Sequence, residues 1–305
     1  MRYVVTGAAG FIGSHLVEAL QAEGHELVAV DCFTDYYDPA LKEDNAASFE
    51  VARLDLAEDD LSLDGFDGVF HLAGQPGVRS FGSVFDDYAR RNLIATQRVL
   101  ESAARAGVRV VFASSSSVYG DAESYPTSEG TQPAPISPYG ITKLGCEHLA
   151  YAYAKAYGLE SVVLRYFTVY GPRQRPDMAF ARVVDALARG ATFELYGDGL
   201  QSRSFTYVAD AVAATIAAMD RAPAGSIYNV GGGTEATMRD AIATLEEISG
   251  RTLELAARPA AAGDVRRTAA DTHRIESDLG WRATTLLPDG LRAQWEWASV
   301  RVAAP

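Results

Sequence analysis

Apolar and polar positions change their spacing along the first half of the chain in a regular order. Short apolar runs, rich in β-branched residues, predict strands at residues 2–6, 25–30, 49–54, 69–73, 109–113 and 161–167. Between them, apolar residues recur at helical spacing and predict helices at residues 11–23, 83–106 and 138–157. Strands that alternate with helices are typical of a parallel sheet covered on both faces. We therefore predict an α/β fold built on a doubly wound, Rossmann-type parallel sheet.

The regular alternation of predicted strands and helices ends at about Gly171. Shorter helices are predicted at about residues 178–189, 207–219 and 238–249, and short strands at 193–196, 226–230 and 253–256. We interpret this part as a smaller C-terminal α/β domain. The predicted domains are residues 1–171 and 172–305, with segments of about 204–230 returning to the first domain.

Three glycines follow the first predicted strand at the spacing Gly-x-x-Gly-x-x-Gly. Gly7 permits a sharp turn, Gly10 lets the backbone approach a pyrophosphate, and Gly13 lets the next helix pack against the strand. The N-terminus of that helix offers unpaired N–H groups and partial positive charge to an anion. Because the motif lies between a strand and a helix, it predicts dinucleotide binding.

Asp31 ends the second predicted strand, where a carboxylate can accept both hydroxyls of an adenosine ribose. Cys32 and Phe33 follow it, and neither is a Lys or Arg that would bind a 2′-phosphate. The sequence therefore favours NAD over NADP as the cofactor.

Polar residues and glycines follow several of the predicted strands. Asp31, Asp55, Gly74, the serines at positions 114–117 and Thr168 all lie at such points. In open parallel sheets, ligands bind beyond the carboxyl ends of the strands. These residues are therefore expected to meet in one crevice.

Tyr139 and Lys143 are four residues apart on a predicted helix and share a face. The ammonium group would favour the phenolate form of the tyrosine, so Tyr139 could act as a general base on an alcohol. Lys143 could also hold the nicotinamide ribose. A hydroxyl of Ser115 or Ser116, at the end of the preceding strand, could reach the same substrate oxygen. This set could remove an alcohol proton while hydride leaves for NAD⁺.

Composition and charge argue against several classes of binding partner. The chain has 305 residues, a net charge of −13 and a pI of about 4.8, which argue against nucleic acid. No apolar run approaches the ~20 residues of a membrane span, and no signal peptide precedes the first strand, so no membrane partner is expected. Cys32 and Cys146 lack the spacing of a zinc site or a disulfide framework. We expect no metal and a cytoplasmic location.

The chain resembles the extended short-chain dehydrogenase/reductases that act on nucleotide sugars. The resemblance covers nearly the whole length and rests on the segments TGAAGFIGSH, HLAGQ, SSSSVYG, SPYGITK, RYFTVYGPRQRPDM, RSFTYVADAV, NVGGG and GDVRRTAAD. Within that family the chain is most similar to UDP-glucuronate 4-epimerases, for which DCFTDYYDP and FTVYGPRQRPDMA are the specific markers.

This resemblance implies an NAD-binding Rossmann domain at residues 1–171 and a nucleotide-sugar-binding domain at 172–305. It implies Tyr139 as the catalytic base, with Lys143 beside it and Ser115 or Ser116 as its hydroxyl partner. The implied contacts with NAD are Gly7, Gly10, Phe11, Ile12, Gly13, Asp31, Asp55, Leu56, Leu72, Ala73, Gly74, Tyr139 and Lys143.

The resemblance also implies a site for a UDP-sugar. The implied contacts with the sugar and its carboxylate are Ser115, Ser116, Ser117, Tyr139, Thr168 and Arg175. Arg203 and Arg266 would hold the UDP phosphates, and Arg79 and Arg173 are further candidates. A planar guanidinium matches the paired oxygens of carboxylates and phosphates.

The activity that the resemblance implies is NAD-dependent inversion at carbon 4 of UDP-glucuronate, which gives UDP-galacturonate through a transient 4-keto sugar. Related decarboxylases carry a Glu where Ser117 stands, and dehydratases carry Asp-Glu at the positions of Ser116 and Ser117. Galactose epimerases usually have Asn where Thr168 stands and Lys where Pro76 stands.

Three alternatives to that activity remain open. They are a UDP-glucose/UDP-galactose 4-epimerase, a UDP-glucuronate decarboxylase and a non-catalytic dinucleotide-sensing protein. A sensing protein would be expected to have a disrupted Tyr/Lys pair, and Tyr139 and Lys143 are both present. The family also implies a homodimer, in which the predicted helices at residues 83–106 and 138–157 pair with their copies as a four-helix bundle.

Overall fold

The structure is a computed structural model that describes residues 1–77, 81–259 and 266–303, so Arg79 lies outside the described residues. The strands are β1 (Arg2–Thr6), β2 (Glu26–Asp31), β3 (Val51–Arg53), β4 (Gly68–His71), β5 (Arg109–Ser115), β6 (Ser161–Tyr166), β7 (Thr168–Tyr170), β8 (Phe193–Tyr196), β9 (Ser202–Tyr207), β10 (Ile227–Val230), β11 (Thr234–Thr237), β12 (Leu255–Arg258) and β13 (Arg267–Thr268). The α-helices are α1 (Phe11–Ala22), α2 (Pro39–Asn45), α3 (Phe85–Tyr88), α4 (Ala95–Ala106), α5 (Pro138–Tyr157), α6 (Ala179–Arg189), α7 (Val208–Arg221), α8 (Met238–Ser249), α9 (His273–Leu279) and α10 (Leu287–Ala303).

The main sheet runs through the described part of the chain in the order β10-β6-β5-β4-β1-β2-β3, and all of its strand pairs are parallel. Its strands are apolar on both faces, and every residue of β6 is buried. Parallel sheets need such strands because helices cover both sides. The predicted α/β class and the doubly wound parallel sheet are confirmed.

Helices form a layer on each face of this sheet. α1 and α7 pack together on one face, where Leu16, Leu20 and Val212 join the core. α4 and α5 pack together on the other face, where Leu100 and Cys146 are fully buried. The two layers leave the carboxyl edge of the sheet uncovered.

α5 shows how local sequence sets the bounds of an element. The hydroxyl of Ser137 accepts a hydrogen bond from the backbone N–H of Gly140 at 3.1 Å and caps the helix, and Pro138 occupies its first position. Gly158 has φ = 70°, the left-handed conformation in which glycine ends helices. The predicted helix at residues 138–157 is confirmed to the residue.

The long helical stretch predicted at residues 83–106 is confirmed, but its helix type changes along the way. A short helix α3 passes into a π-helical segment, Ala89–Ile94, before α4 begins. The extra residue of a π turn does not disturb the apolar spacing enough to be seen in the sequence. This segment carries Asn92, whose side chain reaches towards the site described below.

The C-terminal part has a core of its own. Helices α6, α8 and α10 enclose a cluster that includes Phe180, Leu195, Phe205 and Leu245. β11, β9 and β13 form a second sheet to which β7 adds, and β12 pairs with β8. The strands β7, β9, β11 and β13 escape sequence analysis because they are short and carry many polar residues.

The segment at about residues 204–230 divides between the two parts. α7 packs on α1 and β10 forms an edge strand of the main sheet, whereas β9 belongs to the second sheet. The boundary at residue 171 stays a prediction.

Candidate active site

A cavity of about 700 Å³ opens at the carboxyl edge of the main sheet and extends to the C-terminal part. Most of the sequence-predicted site residues line it. They are Gly7, Gly10, Phe11, Ile12, Gly13, Asp31, Asp55, Leu56, Leu72, Ala73, Gly74, Ser115, Ser116, Ser117, Tyr139, Lys143, Thr168, Arg175 and Arg203. The fold therefore brings residues from both parts of the chain to one space.

Two of the predicted arginines do not line this cavity. The side chain of Arg266 is 91% exposed and lies 4.0 Å from the carboxylate of Asp198. Arg173 instead pairs with Glu18, from its Nη2 to Oε1 at 2.7 Å.

Glycines leave the backbone uncovered by side chains in the turn between β1 and α1. Gly7 has φ = 71°, and a Cβ at this position would lie 2.7 Å from the backbone nitrogen of Ala73. A Cβ on Gly13 would lie 2.0 Å from the carbonyl oxygen of Gly7. Gly10 stands at the N-cap of α1, and no side chain caps that helix. Its first N–H groups are thus available to an anion in the cavity.

Asp31 is held in place by the backbone around it. Its Oδ2 accepts a hydrogen bond from the N–H of Ala9 at 3.1 Å, and its Oδ1 accepts one from Phe33 at 2.8 Å. A carboxylate oxygen has further lone pairs, so these bonds leave room for the hydroxyls of a ribose. Together with the bare glycine turn, this acid fits an adenine dinucleotide.

Sequence reasoning missed a lysine near this acid. Lys42 of α2 is buried, and its Nζ donates hydrogen bonds to the carbonyl and hydroxyl oxygens of Thr34, both at 2.8 Å. Burial lowers the pKa of Lys42, and the negative charge of Asp31 opposes that effect. Lys42 is eleven residues beyond Asp31 in the sequence. It therefore lies outside the two residues after Asp31, Cys32 and Phe33, on which the cofactor prediction was based.

Asp55 lines the cavity with both oxygens already engaged. Its Oδ2 accepts from Nη2 of Arg90 at 2.7 Å, and its Oδ1 accepts from the N–H of Ala57 at 3.0 Å. The carboxylate is thus fixed at the end of β3, beside Leu56.

Tyr139 and Lys143 lie on the first turns of α5. Lys143 is 5% exposed, and its Nζ donates to the carbonyl oxygen of Ala113 at 2.8 Å. The same Nζ lies 5.9 Å from the ring centre of Tyr139 and 4.9 Å from that of Phe112. The ammonium group and the phenol ring therefore lie close together at the cavity that both residues line.

The serine turn follows β5 directly. The hydroxyl of Ser115 accepts from the N–H of Ser117 and donates to the Ser117 hydroxyl, each at 3.1 Å. A Cβ on Gly140 would lie 2.5 Å from the carbonyl oxygen of Ser117. Glycine at this position therefore lets α5, which carries Tyr139, approach the serine turn closely.

Arg175 follows β7 and lines the same cavity as the serine turn. Its Nε and Nη2 donate to the two oxygens of Asp177 at 3.0 and 3.1 Å. Burial works to lower the pKa of Arg175, but Asp177 and the phenol oxygens of Tyr139 and Tyr36 raise it. Arg175 is thus a permanent cation within electrostatic reach of Tyr139.

Other lining residues were not predicted from the sequence. They are mainly Tyr36, Tyr37, Lys42, Arg91, Asp177 and Arg182, with Phe193, Leu195, Tyr196, Gln201, Met238 and Thr268 in the C-terminal part. Tyr36 and Tyr37 lie in the segment DCFTDYYDP, for which the sequence predicted no role in the site. The C-terminal group had no detectable motif.

The described residues contain no other obvious type of site. Among residues 1–77, 81–259 and 266–303, no cluster of three or more His, Cys, Asp or Glu side chains could hold a metal ion. None of the helices in those ranges is both long and apolar enough to cross a lipid bilayer.

Comparison with known proteins gives a consistent result. The family described as the NAD dependent epimerase/dehydratase family matches residues 3–231. An uncharacterized UDP-glucose epimerase of Bacillus subtilis (strain 168), YtcB, is 41% identical over 303 residues, which cover 95% of this chain and 96% of that protein.

Two solved proteins share the fold over nearly their whole length. The UDP-glucuronic acid 4-epimerase from Bacillus cereus, in complex with UDP-glucuronic acid and NAD, is 39% identical with a TM-score of 0.95, over 99% of this chain and 100% of that one. MoeE5 in complex with UDP-glucuronic acid and NAD is 43% identical with a TM-score of 0.90, over 99% and 100%. MoeE5 has also been solved with UDP-glucose and NAD.

Proposed function

Because this chain belongs to the NAD dependent epimerase/dehydratase family, we propose that it is an isomerase that converts UDP-glucuronate to UDP-galacturonate by inversion at sugar carbon 4. One observation carries the proposal. A Tyr139/Lys143 pair, a turn of hydroxyl groups and the guanidinium of Arg175 line the same cavity. An acid–base pair beside a carboxylate-binding group is the arrangement that a sugar acid requires.

Tyr139 is the general base in this proposal. Its phenolate removes the proton from the hydroxyl on carbon 4, and the same group returns a proton after the sugar has turned over. When bound, NAD would take the hydride of carbon 4 and give it back to the opposite face, so no net oxidation occurs. Gly7, Gly10 and Asp31 would hold the cofactor, and Lys143 would favour the phenolate.

The serine turn and Thr168 would bind the carboxylate from one side and Arg175 from the other. A 4-keto sugar acid is a β-keto acid, which loses carbon dioxide when its carboxylate bond aligns with the carbonyl π system. Fixing the carboxylate at several points prevents that alignment. The absence of a Glu at position 117 also removes an acid–base group that the related decarboxylases carry.

The second candidate is a UDP-glucose 4-epimerase. It is favoured by the description of the Bacillus subtilis relative and by the UDP-glucose complex of MoeE5. Arg175 argues for the acidic sugar, because Asp177 engages only one edge of its guanidinium and a sugar carboxylate could pair with the other edge.

A direct assay separates the candidates. The purified protein is incubated with NAD and either UDP-glucuronate or UDP-glucose, and the products are resolved by anion-exchange chromatography. We expect UDP-galacturonate as the main product and a kcat/KM at least about tenfold higher for the acidic sugar. UDP-pentose as the main product would identify a decarboxylase, and faster turnover of UDP-glucose would identify the second candidate.

We also propose a homodimer through α5 and the π-helical segment. Ile94 of that segment and Ile141 and Tyr151 of α5 are large apolar side chains that are exposed. Contiguous exposed apolar groups mark interaction surfaces. Light scattering of the purified protein would give about twice the 32.7 kDa of one chain.

A cytoplasmic location remains our proposal, supported by two free cysteines, of which Cys32 is exposed.

A further inference from the structure

The loop that follows β2 reaches across the cavity to the C-terminal part. The hydroxyl of Tyr36, in this loop, donates a hydrogen bond to Oδ2 of Asp177 at 3.3 Å, although the two residues are 141 positions apart. Asp177 in turn accepts from Nε and Nη2 of Arg175. Tyr36, Asp177 and Arg175 all line the cavity. They form a chain of contacts that ends on the proposed carboxylate-binding group.

The carboxylate of Asp177 occupies only one edge of the guanidinium. The bonds run from Nε to Oδ1 and from Nη2 to Oδ2, which is a paired, fork-like arrangement. A guanidinium is planar and has five N–H donors, so the Nη1 side and the second hydrogen of Nη2 remain available to a ligand. Because the group is rigid, fixing one edge fixes the direction of the other.

The loop itself is tied down close to the predicted cofactor site. Lys42 donates to Thr34 at the start of the loop, and its Nζ lies 4.8 Å from the ring centre of Tyr37. A Cβ on Gly77 would lie 2.8 Å from the hydroxyl of Tyr36. Gly77 has φ = 113°, so both its conformation and its lack of a side chain suit this close approach.

We propose that Tyr36 and Asp177 are positioning residues that orient Arg175 so that the enzyme selects a sugar carboxylate over a neutral sugar. The inference rests on the proposed function and deepens it. Burial and the negative charge of Asp177 raise the pKa of Tyr36 to about 12, so its hydroxyl stays a hydrogen-bond donor at neutral pH. The segment DCFTDYYDP, a marker of the resemblance to UDP-glucuronate 4-epimerases, thereby acquires a role in substrate selection.

A competing arrangement makes the opposite prediction. If the substrate carboxylate had to displace Asp177 from Arg175, Asp177 would weaken the binding of acidic sugars. Removing its charge would then improve the affinity for UDP-glucuronate. The direction of the change in KM therefore separates orientation from competition.

The test uses NAD-loaded protein with the substitutions Asp177→Asn and Tyr36→Phe, alone and together. KM and kcat are measured for UDP-glucuronate and UDP-glucose, and released UDP-pentose is quantified. For Asp177→Asn we expect a KM for UDP-glucuronate about tenfold higher, with the KM for UDP-glucose changed by less than about twofold. More UDP-pentose is expected, because the keto acid is held less firmly. Tyr36→Phe should act in the same direction by about threefold, and the double variant should be no worse than Asp177→Asn.

Asp185→Asn is the matched control, because it removes the same charge from a surface pair with Arg189 on α6. It should leave both KM values unchanged. Equal losses for both sugars, or a lower KM for UDP-glucuronate in Asp177→Asn, would overturn the positioning role. Wild-type protein that does not epimerise UDP-glucuronate would overturn the proposed function instead, so the two failures are distinguishable.

Discussion

Tyr139 contributes a single oxygen atom to the proposed reaction. The phenol oxygen adds to the effects that raise the pKa of Arg175, and Lys143 lies 5.9 Å from the ring. Of the tyrosines of α5, Tyr139 is the one that lines the cavity together with Lys143. The chemical role of this residue can therefore be tested by removing its hydroxyl alone.

Tyr139→Phe should lower kcat by about 10³-fold, because general acid–base catalysis contributes on the order of 10²–10⁴. The KM for UDP-glucuronate should change by less than about threefold, because the serine turn and Arg175 still bind the sugar. Product formation is followed by chromatography. Tyr157→Phe, at an exposed phenol at the end of α5, is the control. A Tyr139→Phe enzyme within tenfold of wild type would rule out this role.

His71 is the last residue of β4 and is fully buried. Its Nδ1 and Nε2 are hydrogen-bonded to the hydroxyls of Thr6 at 2.7 Å and Thr96 at 3.0 Å. Burial, with a smaller effect of the positive charge of Lys143, lowers the pKa of His71 from 6.5 to about 3. The imidazole is therefore neutral in the folded protein at neutral pH.

This depressed pKa predicts a loss of stability in mild acid. The unfolded chain takes up a proton on His71 near pH 6.5 while the folded chain does not. The contribution is complete above pH 6.5 and falls as the pH drops, by at most about 1.4 kcal/mol per pH unit. The measurement is the slope of unfolding free energy between pH 6.5 and 5, which His71→Asn should reduce. An NMR titration in which the His71 ring protonates above pH 6 would contradict the prediction.

At the scale of elements, the π-helical segment joins the loop after β4 to α5. Its Asn92 accepts from the N–H of Gln75 at 2.7 Å, and donates to the Gln75 carbonyl at 3.2 Å and to Thr142 at 3.0 Å. A Cβ on Gly74 would lie 2.9 Å from Oδ1 of Asn92 and 3.3 Å from Nζ of Lys143. Asn92 of the π turn thus connects this loop to α5, which carries Lys143.

Asn92→Ala should lower the free energy of unfolding by about 2 kcal/mol, because it leaves the buried backbone groups of Gln75 without partners. It should also lower kcat, since the loop beside Lys143 loses its support. Urea unfolding and steady-state kinetics measure the two effects. Gln97→Ala, which removes one half-buried amide bond to Tyr153, is the control. Equal effects of the two substitutions would argue against a special role of the π segment.

At the scale of the whole molecule, a buried ion pair ties α5 to the main sheet as far as its edge strand β10. Glu147 of α5 accepts from Arg165 of β6 at 3.0 and 2.6 Å and from the hydroxyl of Ser114 at 2.5 Å. Arg165 also donates to the hydroxyl of Tyr119, which donates to Asn229 of β10. The network begins at Ser114 of β5 and extends to β6 and β10, the next two strands on one side of the main sheet.

Glu147→Gln should lower the free energy of unfolding by about 3 kcal/mol, because Arg165 keeps its charge in a buried site without a counter-charge. Thermal unfolding at pH 7.5 measures the loss. Combining Glu147→Leu with Arg165→Met should recover much of it, since no buried charge remains. Asp185→Asn, which breaks a surface pair, should cost less than about 0.5 kcal/mol. A Glu147→Gln protein as stable as wild type would refute this account.

The sequence by itself determined the features that depend on neighbours along the chain. The apolar runs gave the strands of the main sheet, Pro138 and Gly158 gave the bounds of α5, and the spacing of Tyr139 and Lys143 gave a shared face. Each of these signals is encoded within a few residues, because strand and helix periods, caps and turns are local properties of the backbone.

Only the tertiary structure decided which distant polar groups meet. Tyr36 reaches Asp177 across 141 positions, Lys42 returns to the segment after Asp31, and Arg266 stays on the surface. The π turn and the short polar strands β9, β11 and β13 likewise carry no distinctive period. Such features follow from how packed layers bring side chains together, and isolated polar residues leave no local pattern from which those contacts could be predicted.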